Sequence, residues 1–439
     1  YTTAITSSRE KAIEIGNKYR DMFNVNRVFK LSWTESQMEM KYLGIKSNQI
    51  NMYQKMASKI LFLNSSLEQR KEYIMNIRKG QSALWAYGIS GDLPIVLAII
   101  RNENHMSLVR QLLSAHEYWM WKGLSVDLVF INLQDSSYMQ SLQNKLGDAV
   151  NSKASRYKKN IDGGIFLYNK DTMKKEDIEL LIGISKFVID GDKGELFEQI
   201  EDSIYLPNSS MEKIGENTSL AFENKSSYHF QLPELQYFNE VGGFSSQGKS
   251  YIIVLKDHNH TPVPWINVIS NKKFGFHISE SGTSYTWNKN SRENKLTTWS
   301  NDPVMDGESE SIYLRDEITG QIWSISPEPI RDSGQYVIEH GFGYSNFKHE
   351  ANGIVGEMDV FADMNERVKV LKIKLKNISG KRRKISITYY AKLVLGVCHE
   401  QTSQYICTAF NKELGCIYAK NPYSEHFNQA ICYMKILGG

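Results

Sequence analysis

Cysteine and proline are scarce in this chain of 439 residues, at 4 and 9 copies, and no apolar stretch is long. The longest apolar run, about Leu93 to Ile100, falls well short of the roughly 20 residues that cross a bilayer. No signal-peptide pattern opens the chain, so the segment is expected to lie outside any membrane. Net charge is lacking too: 52 lysines and arginines against 49 aspartates and glutamates leave only +3. That field is too weak for nucleic acid, which is excluded as a partner. The four cysteines, Cys398, Cys407, Cys416 and Cys432, have no C-x-x-C spacing, which argues against a zinc site and for free, buried thiols in a reducing compartment. Cys398 and His399 are adjacent. On a strand they point to opposite faces, so no nucleophile–base pair is expected from them.

What is present is the composition of an ordinary globular protein, 41% hydrophobic and 23% charged, in a length that suits two or three domains. Tyr1 to Thr6 reads as the end of a strand, and Ser7-Ser-Arg-Glu10 as a capping box. Helical spacing follows over Glu10 to Phe23, Thr34 to Leu43 and Asn48 to Leu61. Residues 1–30 are read as a strand end and linker helix, and 31–206 as a helical plus parallel α/β domain. In that domain the apolar runs Pro94 to Ile100, Val126 to Leu133, Gly164 to Tyr168 and Phe187 to Asp190 alternate with helical stretches at Ser107 to Lys122, Ser137 to Asn151, Lys175 to Ile184 and Glu195 to Asp202. This rhythm predicts a doubly wound, Rossmann-like layer of four parallel strands joined by right-handed crossovers.

Residues 207–228 are polar and aperiodic, and are taken as a linker. Beyond them, over 229–439, short alternating segments are separated by Gly, Asn, Asp and Ser turns, as at Tyr251 to Leu255, Gly275 to Ser279, Gln335 to His340 and the pair joined by Asn377 to Lys381. Leu371-Lys-Ile-Lys-Leu375 alternates strictly, one face for a core and the lysines for water. This part is predicted to be an antiparallel β-sandwich, giving an α+β multidomain chain. Both ends look like cuts, the second inside the sandwich.

The densest polar and aromatic stretch is Ser284 to Pro303, with tryptophan, tyrosine, asparagine, arginine and two acids. Sugars offer apolar C–H faces ringed by hydroxyls, so a sugar site pairs flat aromatics with Asn, Asp and Arg. The competing reading is a long connection whose aromatics fill a core and whose Asn and Asp make turns. Asp302 with Asp306, or Asp316 with Glu317, could be an acid–base pair, although sandwich loops are rich in solvated acids. Arg78 to Pro94 carries three glycines before the first parallel strand. It fits neither G-x-G-x-x-G nor a P-loop, and is read as a close-packed approach to the sheet.

The runs Thr261-Pro-Val-Pro-Trp-Ile-Asn-Val-Ile-Ser270, Phe274-Gly-Phe276, Asn290-Ser-Arg-Glu-Asn-Lys-Leu-Thr297, Trp299-Ser-Asn-Asp-Pro303 and Tyr313-Leu-Arg-Asp316 resemble, in order and spacing, the sandwich domain of glycoside hydrolase family 94. Leu31-Ser-Trp-Thr34, Gly80 to Asp92, His116-Glu-Tyr-Trp119 and Gly163-Gly-Ile-Phe166 extend the resemblance over nearly the whole chain. They point to the branch holding 1,2-β-oligoglucan phosphorylases and the C-terminal region of cyclic β-1,2-glucan synthases.

The resemblance implies inverting phosphorolysis of a β-linked glucan, with inorganic phosphate as co-substrate and no organic cofactor or metal. Phosphate is the nucleophile, so one carboxylic acid suffices. In the family that acid sits on a helical barrel after the sandwich. No Asp-Trp-Asn-Asp-Gly-like barrel segment occurs here, so no catalytic residue is assigned. Arg292, Asn301 and Asp302 match motif positions of the family, and Trp287 and Trp299 add stacking surfaces, so these five are the expected substrate-binding residues. The expected partners are β-1,2-glucan and a second copy in a homodimer. The expected location is the cytoplasm, or the cytoplasmic portion of a membrane-bound synthase. The rival reading is a non-catalytic carbohydrate-binding or scaffolding module.

Overall fold

A computed structural model describes the chain apart from residues 1–2, 63–65, 135–140, 153–159, 203–227, 303, 308 and 439. The expected linker therefore lies almost wholly outside the described residues. The chain separates into two compact units: residues 1–73 with 81–205, and residues 74–80 with 206–439. Residues 74–80, expected in the α/β domain, count with the second unit, where Lys420 Nζ donates to the Met75 carbonyl at 3.3 Å.

In the first unit, no strand forms over Thr3–Thr6. Helix α1 (Arg9–Lys18) is capped by Ser8, whose hydroxyl accepts from the Lys11 amide, one residue later than the sequence pattern suggests. It stops before Phe23 because Asp21 caps a new helix, its carboxylate accepting from the Phe23 amide at 2.9 Å. That helix, α2 (Met22–Leu43), is continuous through Asn24–Trp33, where asparagines and valines obscure the periodicity, and it ends at Gly44 with φ 65°. Helix α3 (Ser47–Leu61) buries Met52, Tyr53, Met56 and Ile60 on one face. Helices α4 (Ser66–Asn76) and α5 (Ser82–Trp85) lead to the sheet.

The sheet has four parallel strands, β1 (Ile95–Ile100), β2 (Asp127–Asn132), β3 (Ile165–Asn169) and β4 (Phe187–Asp190), in the order β3-β2-β1-β4. Its connections carry α6 (Met106–Trp121), α7 (Ser141–Asn151) and α8 (Lys175–Ile184), and α9 (Leu196–Asp202) follows β4. Strands β1 and β2 are buried at every position, which is why they read as unbroken apolar runs. Val96, Ala98, Ile100, Leu128 and Phe130 share one core with the buried residues of α3, α6 and α7. The strand order reverses between β1 and β4, the place where open α/β sheets bind ligands. Here charged side chains pair with one another across it. Arg101 pairs with Asp190 and Asp192, His105 sits 3.3 Å from Asp192, and a Cβ on Gly191 would strike the His105 ring.

The second unit is built from antiparallel ladders alone among the described residues. Its strands are β5 (Leu235–Gln236), β6 (Gly242–Ser245), β7 (Ser250–Leu255), β8 (Ile266–Ser270), β9 (Phe274–Ser279), β10 (Ser284–Asn288), β11 (Lys295–Thr297), β12 (Glu310–Asp316) and β13 (Ile322–Trp323). They continue with β14 (Tyr336–Gly341), β15 (Tyr344–Ala351), β16 (Ile354–Ala362), β17 (Lys369–Asn377), β18 (Ile385–Ala391) and β19 (Leu393–Gly396). After a short helix α10 (His399–Thr402) come β20 (Cys407–Asn411), β21 (Cys416–Lys420) and β22 (Cys432–Met434). The sheets run β17-β16-β15-β14-β7-β6-β5, β19-β11-β10-β9-β8, β13-β12-β18 and β20-β21-β22. The first three share one core, with Ile253, Ile338 and Phe347 facing Ile269, Phe276 and Ile278, and Leu314 and Trp323 beside them. This is the predicted sandwich.

Two local expectations change. Asn377–Lys381 does not close a hairpin: β17 pairs with β16, whereas β18 pairs with β12, so the connection passes between sheets. Arg383 in it is held by Asp316 at 2.6 Å and by the Asn352 carbonyl at 2.7 Å. Cys398 and His399 are not on a strand. Cys398 is the N-cap of α10, and His399 Nδ1 faces the Leu393 carbonyl at 3.1 Å. All four thiols are free, with Cys407 and Cys416 buried and Cys398 and Cys432 half-buried.

A polar knot crosses the sandwich. Glu310 of β12 accepts from Lys369 of β17 at 2.6 Å, from Thr286 of β10 at 2.6 Å, from Thr297 of β11 at 2.7 Å and from Tyr389 of β18 at 3.0 Å. Lys369 also donates to Ser284 at 2.6 Å and lies 4.4 Å from the centre of the Phe276 ring. One carboxylate therefore ties three sheets together.

Candidate functional site

The register of β9 with β10 sorts their side chains. Phe276 and Ile278 face the core, opposite Thr286 and Ser284, while Gly275 and His277 face the other side, opposite Trp287 and Tyr285. A Cβ on Gly275 would lie 2.5 Å from the Trp287 ring, so only glycine leaves the indole room to lie across β9. Trp299, just beyond β11, stacks on Tyr285 with centroids 4.8 Å apart and planes 2° from parallel. Its edge meets His277 at 5.1 Å, and His277 meets Tyr285 at 4.5 Å. Trp299 keeps 40% of its surface exposed. The result is an aromatic face of two indoles, a phenol and an imidazole on one sheet.

Two connections border this face, and each is held. Between β10 and β11, Asn290 accepts from the amides of Arg292 and Glu293, both at 2.9 Å, and Ser291 hydrogen-bonds the Tyr285 hydroxyl. Between β11 and β12, Asp302 accepts from the amides of Val304 at 2.8 Å and Met305 at 3.0 Å, which lowers its carboxyl below the usual range. Asp306 accepts from the hydroxyls of Ser279 and Ser281, which are 2.8 Å apart. Glu280 fixes the approach to β8, taking the Trp265 amide at 2.7 Å and the Thr261 hydroxyl, while burial pushes its pKa up.

Of the five expected residues, Trp287 and Trp299 share the face through Tyr285. Arg292 stands at its border with 84% of its side chain exposed, 3.4 Å from Glu293. Asn301 is exposed with φ 52°, and Asp302 makes a turn. No hydrogen bond or ion pair joins Arg292, Asn301 and Asp302 to one another among the described residues. The acids of the candidate acid–base pairs all have partners: Asp316 binds Arg383, Glu317 binds Ser386, Asp302 accepts from two amides of its own loop, and Asp306 accepts from Ser279 and Ser281. Sequence reading missed His277, and took in Tyr285 only as the tyrosine of the Ser284 to Pro303 stretch. The alternation of Gly275 and His277 against Tyr285 and Trp287 was the signal, visible only once β9 and β10 are paired.

His277 is the anomaly. It is 4% exposed, and neither ring nitrogen has a hydrogen-bond partner among the described residues. Burial, and then the charge of Lys369, push its pKa down to about 4, so the ring is neutral at pH 7. Because Trp299 covers it, Trp299→Ala is expected to raise that pKa toward the ordinary value of about 6.5. An NMR titration of the ring protons checks this, and a midpoint that stays near 4 would mean Trp299 does not shield it. No group of three or more His, Cys, Asp or Glu side chains among the described residues could hold a metal ion, and no described helix is long and apolar enough to cross a membrane.

Residues 249–439 match the family model described as glycosyl hydrolase 94, supersandwich domain. Over 436 residues, 97% of this chain, the sequence is 30% identical to the cyclic beta-(1,2)-glucan synthase NdvB of Rhizobium meliloti (strain 1021), covering 15% of that protein. It is 31% identical over 156 residues to the N,N'-diacetylchitobiose phosphorylase of Vibrio furnissii, 35% of this chain and 19% of the relative. The corresponding phosphorylase of Vibrio proteolyticus is 32% identical over 150 residues, 34% of this chain and 18% of the relative. The chain thus spans less than a fifth of the length of these curated relatives, all of which are carbohydrate-active enzymes.

Proposed function

From a chain that carries a glycosyl hydrolase 94 supersandwich domain over residues 249–439, we propose a segment of an inverting glycoside phosphorylase acting on β-1,2-glucan. Phosphate oxygen attacks the anomeric carbon, the glycosidic bond breaks, and the leaving oxygen takes a proton from one carboxylic acid. The products are α-glucose 1-phosphate and a shortened glucan, with no metal or organic cofactor involved. This segment supplies a wall for the glucan and part of a homodimer interface in the cytoplasm, while the acid belongs to a different part of the protein.

The observation that carries this reading is the aromatic face beside an exposed arginine, a pairing suited to the C–H faces and hydroxyls of glucose. The acids around it, Glu280, Asp302 and Asp306, are engaged in holding loops, which agrees with a supporting role. A second reading, the same segment within a cyclic β-1,2-glucan synthase, is favoured by one fact. Similarity to the synthase runs through both units, whereas similarity to the two chitobiose phosphorylases covers about a third of the chain.

The test is phosphate release from α-glucose 1-phosphate by the complete protein with a β-1,2-glucan acceptor. Release is expected; success only with a β-1,4 acceptor would overturn the substrate. In the same assay Arg292→Ala is expected to lower glucan affinity or turnover about tenfold, roughly the worth of one hydrogen bond to a charged group. Unchanged kinetics would remove Arg292 from the wall.

A further inference from the structure

The loop from Gln81 to Asp92, set apart in the sequence by its glycines, is sorted with care. Leu84 and Ile89 are buried, whereas Trp85 between them in sequence is 63% exposed. The indole is not loose: its Nε1 donates to the Ser90 carbonyl at 3.3 Å. Gln81 braces the same point, donating to the Ser90 carbonyl at 2.8 Å and to Asp92 Oδ1 at 2.9 Å. Gly91, at φ 77°, lets Gln81 lie against the backbone, where a Cβ would come within 2.8 Å of it. The loop is also fastened from below, because Tyr87 donates to Asp177 at 2.7 Å and the Tyr168 hydroxyl donates to the Tyr87 carbonyl.

A tryptophan whose N–H is satisfied within its own loop, and whose ring stays in water, has only its faces left to offer. Asp92, an exposed carboxylate whose orientation Gln81 sets, is tied to the same anchor, because Gln81 bonds both it and the Ser90 carbonyl that holds the indole. An anchored indole face with an oriented acceptor in the same loop matches a pyranose, which stacks its C–H face and donates a hydroxyl. Holding both groups in place beforehand removes much of the ordering cost of binding.

We propose that this loop is a second carbohydrate-binding site, on the α/β unit, which takes a β-linked glucose oligomer on Trp85 with Asp92 accepting from a sugar hydroxyl. The choice of β-1,2-glucan as ligand rests on the function proposed above; the site itself rests on the loop. It gives the α/β unit a task as a handle for the glucan.

The experiment is calorimetric titration of the 439-residue chain with a β-1,2-linked gluco-oligosaccharide, using Trp85→Ala, Trp85→Phe, Asp92→Asn and Trp299→Ala. Trp85→Ala should weaken one class of sites at least tenfold, Trp85→Phe should retain most of the affinity, and Asp92→Asn should fall between them. The Trp85-dependent sites should survive Trp299→Ala. Binding unchanged by Trp85→Ala but lost in Trp299→Ala would overturn this site while leaving the aromatic face of the sandwich in place; the converse would uphold it and remove that face. Should Trp85→Ala change the oligomeric state in size-exclusion chromatography with no change in sugar binding, the loop is a protein contact and the proposal falls.

Discussion

Glu310→Ala is expected to destabilise the second unit by about 3 to 5 kcal/mol, the usual cost of breaking a buried pair from one side. The substitution leaves the Lys369 ammonium buried without its carboxylate, and takes the shared acceptor from Thr286, Thr297 and Tyr389. Burial alone would raise the Glu310 pKa, but the charge and hydrogen bond of Lys369 and the hydroxyls of Thr286 and Thr297 outweigh it and hold the carboxyl below its usual range. A double variant, Glu310→Leu with Lys369→Met, should recover much of the loss, since apolar residues of similar volume often replace a buried pair without harm. Denaturant unfolding of the three proteins, the unaltered chain included, measures both effects. A single variant that loses less than about 1 kcal/mol would show that the knot contributes no more than an exposed pair.

Acid is expected to weaken the same unit in two stages. His277 and His340 both titrate near 4 in the folded chain, driven down chiefly by burial, against about 6.5 when unfolded. Between those values the unfolded chain binds protons that the folded chain refuses, so stability is complete above about pH 6.5 and declines as the pH falls toward 4. For His277 alone this amounts to about 3 kcal/mol. Glu310 acts lower: its depressed carboxyl stabilises the fold above the unfolded value of about 4.3, and that contribution goes as the pH drops through the folded value. Unfolding midpoints measured from pH 7 to pH 4 should slope downward, and His277→Phe should flatten the upper stage. A flat profile across that range would contradict the burial of both rings.

Much of the architecture was legible because its signals are local. The two central strands of the parallel sheet, β1 and β2, are sealed on both faces, so each is an apolar run, and Lys175–Ile184 and Phe187–Asp190 are found where the sequence puts them. The alternation of Leu371 to Leu375 also holds at its start, with Leu371 and Ile373 packed on the core and Lys372 and Lys374 in water beside Asp359 and Glu357. Helix α2 was hidden because Asn24, Val25, Asn26 and Val28 are weak helix formers, and a cap at Asp21 decides where it begins.

The aromatic face was half legible. Trp287 and Trp299 stand out by type, but His277 lies far from Trp299 in sequence and is brought to it by strand pairing and a stacked ring. The roles of Asp306 and Asp316 were not readable either, since the serines and the arginine they hold are distant along the chain.

The crossing from β17 to β18 bears on how this protein can be divided. Because β17 completes one sheet and β18 another, a cut at residues 378–384 would separate two halves that each lack the strand needed to finish a layer. Severed pieces should therefore recover their shape only when mixed, and a protease site placed there would report whether both layers melt as one.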